Sequence, residues 1–116
     1  MQIKTKNLVL NELKCWQITL NSGAPVGEIH CKGVPVDGEV EIGYGINEGK
    51  FRGRGYMKEA LSAVCEYILS IDGITSIRAE TLTDNFASQN VLLSCGFERE
   101  GKKNGKFIWR RKTQQP

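Results

Sequence analysis

The chain is short of the residues and runs that mark most specialised protein classes. It has one histidine, His30, and four cysteines, Cys15, Cys31, Cys65 and Cys95, with no C-x-x-C pair among them. A structural zinc site needs about four clustered Cys/His ligands, so no metal is expected. The N-terminal stretch MQIKTKNLVL lacks the apolar core of a signal peptide. No run is long enough to span a bilayer, so no membrane partner is expected. A reducing cytoplasm follows as the expected location, with thiols acting as small hydrophobes. Internal repeats, low-complexity tracts and linkers are also lacking. With 116 residues the chain is expected to form a single domain, 1–116. Its net charge of +3, from 16 basic and 13 acidic residues, is far below that of a dedicated nucleic-acid binder. No nucleic-acid partner is expected, while an anionic small ligand fits.

What is present is clear periodicity. KNLVLNEL (6–13) alternates weakly, CWQITL (15–20) is rich in strand formers, and NSGAP reads as a turn. VGEIHCKG (26–33) and EVEIGYGI (39–46) alternate, the second with Val40, Ile42 and Tyr44 on one face and Glu39, Glu41 and Gly43 on the other. From 57 to 71 the period changes: apolar residues at 57, 60, 61, 64, 65 and 68 follow helical spacing, with Gly73 as the expected C-cap. ITSIRAETL (74–82) is a further strand. TDNFASQNVLLSCGF (83–97) reads as a helix capped by Asp84 or Asn85, burying Ser88, Val91, Leu92 and Cys95 and ending at Gly96. GFEREGKKNGKFIWRR closes as a hairpin around Asn104-Gly105. Strand 39–46, helix 57–71 and strand 75–82 form a β-α-β unit, which requires one parallel pair in an otherwise antiparallel sheet.

The segment NEGKFRGRGYMKEAL (47–61) places Arg52-Gly53-Arg54-Gly55 on the threshold of that helix. Glycines let a ligand approach the backbone closely. The first-turn N–H groups point outward and the helix dipole adds partial positive charge. Two arginines supply full charges. The combination suits phosphate or pyrophosphate. It is neither a P-loop nor a full G-x-G-x-x-G fingerprint.

The run EIGYGINEGKFRGRGYMKEAL, followed by a strand and NFASQNVLLSCGF, resembles the GNAT superfamily of N-acetyltransferases. EIGY, GRGYMKEA and N-x-x-S-x-x-x-L-x-x-x-G-F are similar to the branch that acetylates ribosomal-protein N-termini. The opening IKTKNLVLNEL is similar to that branch's first strand. The resemblance implies an α+β fold of the α/β three-layer type. Its sheet would be mixed and mostly antiparallel, with six to seven strands, two main helices and a splayed parallel pair. The family's R/Q-x-x-G-x-G/A pyrophosphate loop falls on Arg52, Gly53, Arg54, Gly55, Tyr56 and Met57, Met57 replacing the last small residue. Acetyl-CoA is the implied cosubstrate, its pantetheine arm pairing with the backbone near Tyr44, Gly45 and Ile46. Asn85 and Ser88 would face the same arm or its phosphates. Without the resemblance, Asn85 is a helix cap and Ser88 a small packed residue.

The implied reaction is direct attack of an amine on the thioester, with a carboxylate base and an acid for the thiolate. Candidate bases are Glu39 and Glu41, which otherwise read as solvated strand residues. Glu59 reads as a helical pair, His30 as an exposed strand residue, Tyr44 and Tyr56 as packing, and Cys95 as a core thiol. Many members carry the acid, a tyrosine, where this chain has Leu92. Two helices that relatives place after the first strand are also missing. Apolar surface left by that deletion is expected to favour a homodimer. Three functions follow: an N-acetyltransferase acting on a peptide N-terminus, polyamine or amino sugar; a non-catalytic CoA-binding module; or RNA association through the basic 102–112 hairpin, which reads more simply as a solvated edge.

Overall fold

A computed structural model describes residues 2–5, 8–12, 15–33, 35–46, 49–51 and 53–113. Arg52, one of the loop residues singled out above, lies outside them. The strands in chain order are β1 (Gln2–Lys4), β2 (Leu8–Glu12), β3 (Cys15–Leu20), β4 (Pro25–Cys31) and β5 (Glu39–Ile46), then β6 (Ser76–Leu82), β7 (Glu98–Lys103) and β8 (Lys106–Lys112). Helix α1 (Tyr56–Leu69) joins β5 to β6, and α2 (Phe86–Ser94) joins β6 to β7. The sheet order is β1-β2-β3-β4-β5-β6-β8-β7, and only β5 and β6 run parallel. This is the expected mixed, mostly antiparallel sheet with two helices, enlarged to eight strands by the three-residue β1.

Local chemistry explains most of these elements. Asp37 and Gly38 both take positive φ (51° and 79°), closing the turn between Val36 and Glu39. Asn104 and Gly105 do the same (53° and 78°), as a type I′ hairpin turn demands. Asn85 is the cap of α2: its side-chain oxygen accepts from the Ser88 N–H at 3.1 Å. At the other end Phe97 N–H donates to Leu92 O (3.0 Å) and Gly96 N–H to Leu93 O (3.2 Å), a Schellman motif that Gly96 permits with φ +85°. Gly73 does not cap α1. The helix ends three residues earlier at Ser70, whose N–H returns to Glu66 O and Tyr67 O, and Gly73 serves the following turn.

The strand register divides the sheet into two unlike faces. One carries Trp16, Ile18, Ile29, Ile42, Ile77 and Trp109, all buried against Leu61, Val64, Ile68 and Leu92 of the helices. Each such side chain contributes roughly 1.5–3 kcal/mol on burial. Trp109 lodges its indole N–H on the Thr81 hydroxyl at 2.9 Å. The buried face of α2 is Gln89, Leu92 and Cys95, with Ser88 and Val91 half-buried. Gln89, unforeseen from sequence, donates to the carbonyls of Leu82 and Thr83 and so pins α2 to the end of β6.

The opposite face carries Gln17, Glu28, Glu41, Arg78, Glu80 and Arg110, placed side by side by the pairings Gln17↔Glu28, Glu41↔Arg78 and Arg78↔Arg110. No helix packs on it among the described residues, and only residues 13 and 14 separate β2 from β3. The layers described are therefore two. The apolar surface expected from the missing helices is not on this face. Arg78 bridges Glu41 (3.2 Å) and Glu80 (2.7 Å), and Arg110 bridges Glu39 and Glu100, so an ion-pair lattice occupies it instead.

Candidate active site

The site starts where the parallel pair separates. β5 and β6 pair through Glu39↔Ser76, Val40↔Ile77 and Glu41↔Arg78 and no further. Beyond that point β5 continues on β4 as far as Gly27↔Ile46, while β6 continues on β8 as far as Leu82↔Lys106. Lys32 N–H donates to Glu41 O at 2.7 Å, so the odd-numbered residues of β5 face β4. By alternation Tyr44 and Ile46 turn their N–H and C=O to the edge that β6 has left. Gly45 directs its own backbone to β4, and the space where its Cβ would sit is empty.

A cleft of about 430 Å³ opens there, lined by Tyr44, Gly45, Ile46, Gly53, Gly55, Tyr56, Met57, Lys58, Asn85, Ala87, Ser88 and Val91. Its volume is in the range of small-molecule sites, ~300–1,000 Å³. The lining residues come from three places brought together by the fold: the β5 edge, the mouth of α1, and the cap and first two turns of α2. Gly55 is the N-cap of α1, with φ 78° and ψ 6°, and among the described residues no side chain caps the helix. Gly53 also has positive φ (74°), and an added Cβ at either glycine would meet nothing within 4 Å. The first turn of α1 borders the cleft, with the positive end of the helix dipole directed at it. These are the properties that a bound pyrophosphate requires, and the narrow edge beside it suits an extended amide-bearing arm.

Of the residues singled out from sequence, Tyr44, Gly45, Ile46, Gly53, Gly55, Tyr56, Met57, Asn85 and Ser88 meet at this cleft. Arg54 stands just outside it, exposed, with Nε donating to Lys50 O at 2.9 Å, which folds the side chain over the preceding turn. Lys58 lines the cleft and was not anticipated; a basic residue in the first turn after G-x-G-x-x was the available signal. Tyr44 does more than pack. Its hydroxyl crosses the gap to Ser88, 2.8 Å from Oγ and 3.1 Å from the carbonyl oxygen. Burial pushes its pKa up to about 12, against the lowering effect of the Ser88 hydrogen bond. The phenol therefore stays protonated and acts as a hydrogen-bond donor.

Glu39 and Glu41 are not brought to the cleft. They sit at the closed end of the parallel pair, on the open face of the sheet. Glu39 accepts from Arg110 Nε (2.5 Å) and Nη2 (3.0 Å) and from the Ser76 hydroxyl (2.6 Å). The Arg110 hydrogen bonds hold its carboxyl below the ordinary value of 4.5 despite partial burial. Glu41 is tied to Arg78. Glu59 accepts from the Thr5 hydroxyl, binding α1 to the end of β1. Leu92, in the position of the family's tyrosine, is fully buried in the core, so no proton donor stands there. Cys95 is buried too, its thiol pushed up by desolvation.

A second basin of about 270 Å³ lies across the gap on the open face, lined by His30, Lys32, Gly43, Glu80 and Lys106 among others. Tyr44, Asn85 and Ser88 border both hollows, so the two meet at the point where the strands part.

Comparison with known proteins agrees with this fold. The family model described as an acetyltransferase (GNAT) domain matches residues 3–98. An uncharacterised N-acetyltransferase of Bacillus subtilis, YoaA, is 43% identical over 61 residues, covering 53% of this chain and 34% of its own length. The ribosomal protein uS5-alanine N-acetyltransferase of Escherichia coli is 38% identical over 60 residues, covering 52% of this chain and 30% of its own. The matched segment is thus about a third of each of these curated relatives. Among solved structures, an acetyltransferase of Bacillus anthracis superposes with a TM-score of 0.85 at 18% identity, over 97% of this chain and 98% of that one.

Proposed function

The chain belongs to the GNAT acetyltransferase family, whose members use acetyl-CoA, and from that membership we propose that its cleft binds acetyl-CoA and passes the acetyl group to an amine. The observation that carries this reading is the alignment of three features on one cleft: a parallel pair that parts after Glu41↔Arg78, an uncapped glycine helix mouth, and a free strand edge at Tyr44 and Ile46. The first-turn amides of α1, with Gly53 and Gly55 clearing their approach and Arg54, Lys58 and Arg52 supplying charge, hold the pyrophosphate. The backbone of Tyr44 and Ile46 pairs with the pantetheine amides, Gly45 leaves room beside them, and Tyr56, Met57, Asn85 and Ser88 complete the walls.

The group transfer is aminolysis of a thioester: the amine nitrogen bonds to the acetyl carbon, the carbon–sulfur bond breaks, and the proton lost from nitrogen ends on sulfur. A strand-edge N–H is placed to stabilise negative charge on the thioester oxygen. Tyr44 does not give the sulfur its proton, because its O–H is directed to Ser88 and a phenol at about 12 is far weaker an acid than a thiol at ~8.5. Glu39 and Glu41, at the closed end, serve the fold better than proton transfer, and His30 beside the gap is the better-placed base. We extend the proposal to a cytoplasmic setting, which two buried free thiols, Cys65 and Cys95, suit. We also extend it to a homodimer that completes the open acceptor side and covers exposed Leu82 and Phe86. A clean monomer by sedimentation at tens of micromolar, roughly, refutes the dimer.

A second reading, a CoA-binding module without catalysis, is favoured by one observation: the buried Leu92 in place of an acid. Calorimetry with acetyl-CoA and CoA tests the binding that both readings share. Release of thiol in the presence of peptide N-termini, polyamines and amino sugars separates them, and binding without release from any amine supports the module.

A further inference from the structure

The basin on the open face has a charge pattern that the cofactor cleft does not explain. Its one carboxylate, Glu80, is engaged by Arg78 at 2.7 Å, and Arg78 also holds Glu41. Its two ammonium groups, on Lys32 and Lys106, have no carboxylate within salt-bridge distance among the described residues. Glu41 and Glu80 share the single charge of Arg78, which leaves that trio one net negative charge, so with these two lysines the hollow is net positive by one. Its floor is shaped by a glycine. A Cβ at Gly43 would lie 2.7 Å from His30 Nε2 and 2.9 Å from Lys32 Cε. Only glycine lets both side chains lie across β5 toward the gap where Tyr44 and Ser88 meet.

We propose that this basin selects a small acceptor amine that bears a carboxylate a few bonds from its nitrogen, and turns away di- and polyamines. The proposal rests on the acetyl-transfer reading above. With the amine at the gap between the strands, beside His30, the carboxylate falls between Lys32 and Lys106. A second ammonium in the same place meets two cations, and the basin's one carboxylate, Glu80, is already bound to Arg78. The 270 Å³ of the basin suits a molecule of amino-acid size. Because the basin is open to water, the discrimination is modest and is screened by salt.

The test uses a matched pair, 4-aminobutyrate and 1,4-diaminobutane, which share a four-carbon chain and differ in one charged end. His30 is the only histidine, so its ring resonance reports on the basin without any turnover. On the full chain with CoA present, 4-aminobutyrate is expected to shift that resonance saturably, and 1,4-diaminobutane at least about five-fold more weakly. The double variant Lys32→Gln/Lys106→Gln is expected to lose that preference with an unchanged melting temperature. Gly43→Ala, which pushes aside only side-chain ends, is expected to weaken 4-aminobutyrate and leave CoA affinity alone. Equal binding of the two amines, or an unchanged preference in the double variant, overturns the proposal. The failures are separable: binding of CoA without a response to 4-aminobutyrate removes the basin assignment alone, and a His30 response without any CoA binding removes the transfer reading alone.

Discussion

Replacing Gly55 by asparagine separates the two jobs of the helix mouth, folding and anion binding. Gly55 has φ 78° and ψ 6°, a left-handed conformation that asparagine tolerates better than most chiral residues. An added Cβ meets nothing within 4 Å, so no packing is disturbed. The folding cost is then less than about 1 kcal/mol. For a domain of this length the entropy of unfolding near the melting point is about 0.24 kcal/mol/K, so the melting temperature moves by no more than about 4 °C. Binding responds differently. The new amide stands where the phosphates lie and competes for the first-turn N–H groups. Losing two amide-to-phosphate hydrogen bonds at about 1.5 kcal/mol each costs about 3 kcal/mol, or roughly 150-fold in Kd. Calorimetry with CoA reads the affinity and a thermal melt reads the fold. A Kd within about three-fold of the parent, with the melting temperature held, refutes the assignment of the helix mouth to the pyrophosphate.

Three further outcomes are expected. A Cβ at Gly27 would run into the Gly45 carbonyl and stand 3.0 Å from Ile46 Cα, both backbone atoms that cannot swing aside, so Gly27→Ala lowers stability by about 3 kcal/mol, or roughly 12 °C in a melt; an unchanged melting temperature contradicts the close approach of β4 and β5. Because Arg110 holds the Glu39 carboxyl below its ordinary 4.5, that pair contributes stability that is complete above the ordinary glutamate range and disappears as pH falls through the lowered folded-state value; Glu39→Gln therefore flattens the acid limb of a stability–pH curve, and a curve parallel to the parent's speaks against the pair. Leu92→Tyr, which would restore the family's usual residue, places a larger side chain and a hydroxyl in a fully buried position, so it destabilises by at least about 2 kcal/mol and gains no thiol release; faster release in a stably folded variant shows that position 92 faces the cleft.

How much was legible follows from how local each feature is. The alternation over 39–46, the helical spacing over 57–68 and the paired positive-φ residues at 104–105 are dictated by neighbours a few residues away, and the structure carries all three. Gly73 looked like the end of α1 because a glycine there has the right conformation, yet Ser70 ends the helix by returning its own N–H. Gln89 and Lys58 gave no periodic signal: one is a polar residue buried for two carbonyls, the other an ordinary helical lysine until β5 and β6 part beside it.

The amino-acid sequence by itself determined the order of elements from β3 onward, a cap for α2 at Asp84 or Asn85, the single parallel crossover and the glycine-flanked mouth of α1, because each is set by short-range torsional and amphipathic preference. Tertiary structure alone decided where the parallel pair opens, that Tyr44 reaches Ser88 across 44 positions, and that Glu39 is claimed by Arg110 across 71. Contacts between residues so far apart depend on sheet register and twist, which no local pattern encodes, and they separate the carboxylates that hold the sheet together from the side chains that surround the cleft.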